Sequence, residues 1–164
     1  MTYSRVKGEG RKQLEIAFKQ RALHGKVGKV GWVKPNQYPN GTQVALVAVI
    51  QEFGYPPKNI PPRSFMRTTI AEKQLSWRKV AYYSAQQVVS GKLTGFGAME
   101  KIGAKAAGDI RKKIATITYP PLKPATIARR RARYSDKSTI GLLEKPLVDT
   151  RRMITTLSHS VEDA

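Results

Sequence analysis

Few side chains in this sequence could do covalent chemistry, and their spacing argues against it. There is no cysteine, and the two histidines, His24 and His159, stand far apart. Disulfides, thiolate metal sites and cysteine nucleophiles are therefore excluded. Two imidazoles cannot build a three-histidine metal site, and each reads as an exposed or satisfied side chain. Ser158, His159 and Ser160 are sequence neighbours. On a strand they point alternately to opposite faces, so they cannot form a hydrolase triad by themselves. The eleven carboxylates are scattered. Glu162 and Asp163 fall at the exposed end, and Asp149 is better explained as a helix cap. Gly25, Gly28 and Gly31 lie before and inside a strand pattern, which is the wrong place for a dinucleotide fingerprint. Gly95 and Gly97 read as linker glycines. No catalytic group, cofactor or metal is implied.

Charge carries more information. Thirty Lys and Arg against eleven Asp and Glu give +19. Such an excess favours acidic partners: nucleic acid, an anionic surface or an acidic protein ring. Its densest point is Arg129, Arg130, Arg131 and Arg133, with Lys123 upstream and Tyr134 following. Guanidinium forks match phosphates and carboxylates. On a helix these arginines cover more than one face, which suits a nucleic-acid backbone or an acidic ring. The plainer reading is a solvated basic helix.

The elements that would position these groups follow from pattern. A chain of 164 residues has room for one domain with one modest core, and 40% apolar residues suit a globular protein. No apolar run approaches the ~20 residues of a membrane span, and no signal peptide is visible, so synthesis and retention in the cytoplasm are expected. Residues 11–23 read as a helix with Leu14, Ala17 and Phe18 on one face. Residues 26–33 read as a short strand and 35–41 as a loop.

The run 42–53 is ambiguous between helix and strand. Val44, Val47, Val49 and Ile50 favour a strand. A short buried helix is preferred because Thr42 can cap one end and Gly54 can close the other. Four prolines in 55–63 predict an irregular, extended surface arm.

A long helix over 64–89 follows, capped by Ser64, with Met66, Ile70, Trp77, Val80, Ala81, Ser84 and Val88 near the helical period. After a flexible link at 94–97, a second helix over 98–117 carries the cleanest stripe: Met99, Ile102, Ala106, Ile110, Ile114 and Ile117. The short link predicts an antiparallel hairpin of the two. Residues 119–124 are proline-locked and 125–134 a short helix. Residues 135–145 are expected to be a loop, making 119–147 a second arm that orders on assembly. A short helix capped by Asp149 or Thr150 and a strand over 157–162 end the chain. That strand would pair with 26–33 or with a neighbouring subunit.

Three segments resemble the phage tail-completion, or neck, proteins, also known as virion morphogenesis or minor tail proteins. They are VALVAVIQEFG at 44–54, IPPRSFMR at 60–67, and KPLVDTRRM at 145–153 with a strand after it. The family usually has Asp-Thr-Gly-Arg in the third, where this chain has Arg151, and often a second proline where this chain has Ser64.

The resemblance implies an α+β single domain, a small sheet packed by long helices. It implies a non-catalytic structural subunit at the head–tail junction of a virion. Such a subunit would form a six- or twelve-fold ring and join tail terminator or tail tube to the head connector. Packaged DNA would be a further neighbour, and no membrane is involved. The interface candidates are Glu52, Phe53, Gly54, Pro61, Pro62, Arg63, Phe65, Arg67, Asp149, Thr150 and Arg152. The stiff prolines would limit the entropy lost on docking, and Phe65 between Arg63 and Arg67 is a combination common at interface anchors. The competing reading is a basic nucleic-acid-binding protein without sequence specificity, with Lys123 and the 129–133 arginines as its patch.

Overall fold

The computed structural model describes residues 12, 25–134 and 143–163. The helix expected over 11–23 and most of the loop expected over 135–145 lie outside the described residues, as does His24. Within them the chain is α+β, with five helices and one two-stranded antiparallel sheet. The elements are β1 (Lys26–Gly31), α1 (Val44–Phe53), a 3-10 turn (Pro56–Lys58), α2 (Met66–Val89), α3 (Gly95–Thr116), α4 (Pro124–Arg133), α5 (Arg152–Thr156) and β2 (Ser158–Asp163).

The two strands pair with each other, Lys26 opposite Asp163 and Gly31 opposite Ser158. Opposite charges set along the pair, Lys26 with Asp163 and Lys29 with Glu162, agree with this register. The sheet lies on α3. His159 from β2 covers Gly103, where any added Cβ would stand 2.8 Å from the imidazole Cδ2. Its Nε2 is 3.1 Å from the Glu100 carboxylate.

Helices α2 and α3 form the antiparallel hairpin that the short link predicts. Lys113 meets Glu72, Trp77 Nε1 donates to Asp109 at 2.8 Å, and Lys101 meets Gln87. The link is not flexible in form. Thr94 is the cap of α3, its hydroxyl accepting the Gly97 N–H at 3.0 Å, so the helix starts three residues earlier than its apolar stripe suggests. Ala106, Ile110 and Ile114 of that stripe are buried, joined by Gly103 and Ala107. The stripe expected on α2 is only partly an inner face. Ile70 is exposed, and the buried positions are Thr69, Ser84 and Val88.

The core gathers Val44 and Ala48 of α1, Phe65, Ile110 and Ile114 of α3, and Leu147, Met153 and Leu157 from the C-terminal region. Trp32 meets Phe65 edge-on at 6.0 Å and donates from Nε1 to the Met153 carbonyl. Residues far apart in sequence thus close one centre. No helix of the described residues is long and apolar enough to cross a membrane.

The 42–53 run is a helix, as preferred, but it is not buried on both sides. Leu46, Val49 and Phe53 are 54%, 54% and 60% exposed. Its cap is Gln43 rather than Thr42, and no side chain bonds there. Instead the Val44 N–H donates to the Asn36 carbonyl. Gly54 closes the far end at φ 81°, donating to the Ile50 carbonyl at 2.8 Å. The proline-rich arm also departs from expectation. It closes on itself through the 3-10 turn, left-handed Asn59 and reciprocal backbone bonds between Tyr55 and Ile60.

Candidate functional site

The first two of the three segments meet at one carboxylate. Glu52 lies on the inner face of α1 and is 4% exposed. It accepts from the Ser64 hydroxyl at 2.7 Å, the Met66 N–H at 2.9 Å, and the Arg67 N–H and Nε at 3.1 and 3.0 Å. The N-terminus of α2 has no cap from its own side chains, so Glu52 caps it from another helix. Ser64, expected as that cap, bonds to Glu52 instead. Burial pushes the Glu52 carboxyl up. The Ser64, Met66 and Arg67 donors outweigh burial and hold it below the ordinary carboxylate range. Arg67 also bonds the Glu52 carbonyl and lays its guanidinium 4.6 Å over the Phe53 ring.

Two arginines are buried in the neighbouring layer. Arg63 is 5% exposed and donates to the Pro120 and Pro121 carbonyls and to Gln51 Oε1, at 2.8, 3.0 and 3.0 Å. It clamps the proline-locked 119–124 segment to α1. Arg130 is 6% exposed and collects the carbonyls of Leu143, Lys145 and Pro146. Burial lowers the pKa of both, and the charge of Arg130 lowers that of Arg63 further. Arg130 Nε is buried without a hydrogen-bond partner among the described residues, its nearest carboxylate being Asp149 at 3.7 Å.

The third segment forms a corner opposite α4. Asp149 does not cap α5. It accepts from the Tyr134 hydroxyl at 3.2 Å and from Arg133 at 3.3 Å. The residue before α5 is Arg151, in the left-handed region at φ 58°. That is the position where the resembled family carries glycine, and glycine takes this conformation without strain. Thr150 Oγ1 lies 3.5 Å from the Arg152 N–H, and the Arg152 side chain donates to the Gln37 carbonyl. Between this corner, α1 and the 38–42 loop lies an open cleft of about 550 Å³. Its walls include Tyr38, Val47, Tyr134, Asp149 and Met153. Burial pushes the Tyr38 hydroxyl up, against the Thr150 hydrogen bond.

The sequence-derived candidates therefore divide. Glu52, Arg63 and Phe65 are inside, with Phe65 fully buried, and they can act only through what they position. Phe53, Pro62 and Arg67 are exposed beside one another's elements, and Pro61 is half-buried. Gly54 is held because a Cβ there would meet the Pro62 nitrogen at 2.9 Å. The 129–133 patch is not one surface. Arg130 points inward, Arg131 pairs with Glu144 at 2.9 Å and Arg133 with Asp149. Arg129 and Lys123 remain exposed without a carboxylate partner among the described residues. Sequence reasoning missed the outer face of α1, with Leu46 and Val49. Its signal was there: apolar positions at 46, 49 and 53 repeat at helical spacing on the face opposite Val44, Ala48 and Glu52.

No known protein family, characterised protein or solved structure matches the chain.

Proposed function

We propose that this chain is a non-catalytic virion structural protein at the phage head–tail junction, a tail-completion or neck subunit that joins the tail to the head connector. One observation carries the reading: the Glu52 junction. It locks two of the three family-like segments into one unit while turning an uncharged helix face, Leu46, Val49 and Phe53, outward. Large apolar side chains grouped on one exposed face mark association surfaces. Arg67, stacked on Phe53, adds an arginine, one of the residue types enriched at binding hot spots. The third segment supports the same reading by holding its glycine-type turn at Arg151.

A ring subunit needs two unlike surfaces, one for each neighbour around the axis. The apolar face of α1 and the mixed aromatic and charged cleft beside Asp149 meet that need. Partners would be further copies of this chain in a six- or twelve-fold ring, with tail terminator or tail tube on one side and head connector on the other. Electron microscopy of purified virions tests this. Density for the subunit is expected at the neck. Finding the protein in infected-cell lysate but not in virions refutes the reading.

A further inference from the structure

A second cleft, of about 400 Å³, opens where the 58–63 loop faces the start of α4. Five cations line it: Lys58, Arg63, Lys123, Arg129 and Arg130. No carboxylate and no aromatic ring lines it among the described residues. The geometry points to this cleft as a binding site for phosphate oxygens of a nucleic-acid backbone, read without sequence.

The two buried arginines are the fixed part. Their guanidinium groups are immobilised by backbone carbonyls and do not swing out to meet a ligand. They set a standing positive potential behind low-dielectric walls, where field lines are focused. Each lowers its charge tolerance by burial, and Arg63 also feels Arg130, so an anion in the cleft would relieve a repulsion already present. Lys58, Lys123 and Arg129 are exposed at the rim and make the contacts. The first turn of α4 holds no acidic side chain, so its dipole adds to the same sign.

The two clefts differ in kind. The 550 Å³ cleft mixes tyrosines and an aspartate with Arg130, Arg133, Arg151 and Arg152, a combination of rings and both charge signs that suits a protein segment. The 400 Å³ cleft offers single-sign charge and nothing for a base to stack on, which suits the backbone alone. The inference goes beyond the neck reading and does not depend on it: a chain outside the virion would still bind DNA through this cleft.

The test is fluorescence anisotropy of the full chain with a 20-base-pair duplex across a salt series. Lys58→Ala/Lys123→Ala/Arg129→Ala is compared with Arg78→Ala/Lys79→Ala/Lys92→Ala, which removes equal charge from α2 and the turn after it. All six side chains are exposed, and thermal melts check that both variants fold. Losing up to three phosphate contacts is expected to reduce the slope of log affinity against log salt by about 2 to 3 and low-salt affinity at least about tenfold. The remote variant should lose less than about threefold. Lys123→Gln alone should reduce the slope by about 1, which keeps the test decisive if the triple variant unfolds. Equal losses in both triples, or no effect of the cleft substitutions, overturn the site. Polyglutamate binding with the same affinity and the same sensitivity to the cleft variant overturns the phosphate assignment in favour of an acidic protein.

Discussion

Replacing Glu52 by alanine removes one carboxylate and strands four donors. The Met66 and Arg67 N–H groups at the start of α2 lose their acceptor, as do the Ser64 hydroxyl and Arg67 Nε. Hydrogen bonds to a charged group are worth about 1.5–3 kcal/mol each, and a lost helix cap alone costs about 0.5–2 kcal/mol. The four share one acceptor and do not add, so the expected loss is about 3 kcal/mol. For a chain of this size that is a fall in Tm of roughly 6–12 °C.

Glu52→Gln keeps the shape and one acceptor, and separates charge from packing. The folded-state pKa of Glu52 lies below its ordinary 4.5. Its contribution is therefore complete above the unfolded value and is lost as pH falls through the folded one, so the window opens below about pH 4.5. Asp109 and Glu162 are held low as well and leave a residual acid slope. Thermal melts of wild type, Glu52→Ala and Glu52→Gln between pH 7 and pH 3 decide the matter. A fall in Tm under about 2 °C for Glu52→Ala, or an undiminished acid slope in Glu52→Gln, would refute the reasoning.

Three further outcomes follow from single positions. Arg151→Gly should stabilise the chain by about 0.5–1 kcal/mol, because the left-handed conformation costs an arginine about 1–2 kcal/mol and glycine gives back part of that in unfolded-state entropy; a lower urea midpoint would contradict it. Gly54→Ala should cost about 2–3 kcal/mol, since its Cβ would press on the Pro62 backbone at a positive φ; an unchanged midpoint would mean the loop gives way freely. Leu46→Asp should leave the melt within about 0.5 kcal/mol of wild type while abolishing incorporation into virions, measured by blotting purified particles; normal incorporation would remove the α1 face from the interface.

How much of this was legible in the sequence depended on whether the cause was local. The α3 stripe at Ala106, Ile110 and Ile114, the end of α1 at Gly54, and the alternation over 157–162, which falls on the strand Ser158–Asp163, are periodic or conformational signals within one segment. They were readable for that reason. In the sequence Thr94 looks like linker because glycines surround it, although its hydroxyl reaches Gly97 as any N-cap would. Capping of α2 was not readable, because the cap arrives from Glu52, fourteen residues upstream of Met66 and on another helix. The prolines of 56–62 forbid regular ladder bonding but say nothing of whether the loop is extended or closed. Ile60 and Tyr55 closed it through two backbone bonds. The resemblance marked Arg63 and Phe65 as surface anchors, whereas both serve the interior, because arginine after proline can reach the backbone carbonyls of another proline segment.

The basic run at 129–133 shows why charge counted along a chain differs from charge presented by a fold. Successive positions on a helix differ by about 100°, so four arginines in five residues cannot share a face. The helix sends Arg130 into the layer beneath α4, Arg131 toward Glu144 and Arg133 toward Asp149, and only Arg129 remains with Lys123 at the rim of the cleft. What the sequence displays as one patch becomes a structural clamp, two ion pairs and part of a site. The rest of that site comes from Lys58 and Arg63, far upstream in the sequence, on the loop that Glu52 and Gly54 hold in place. The same junction that turns an apolar face outward therefore also sets the position of the cations. The proposed assembly face and the proposed phosphate cleft are therefore joined through one buried carboxylate, and Glu52→Gln at pH 7 should disturb both or neither.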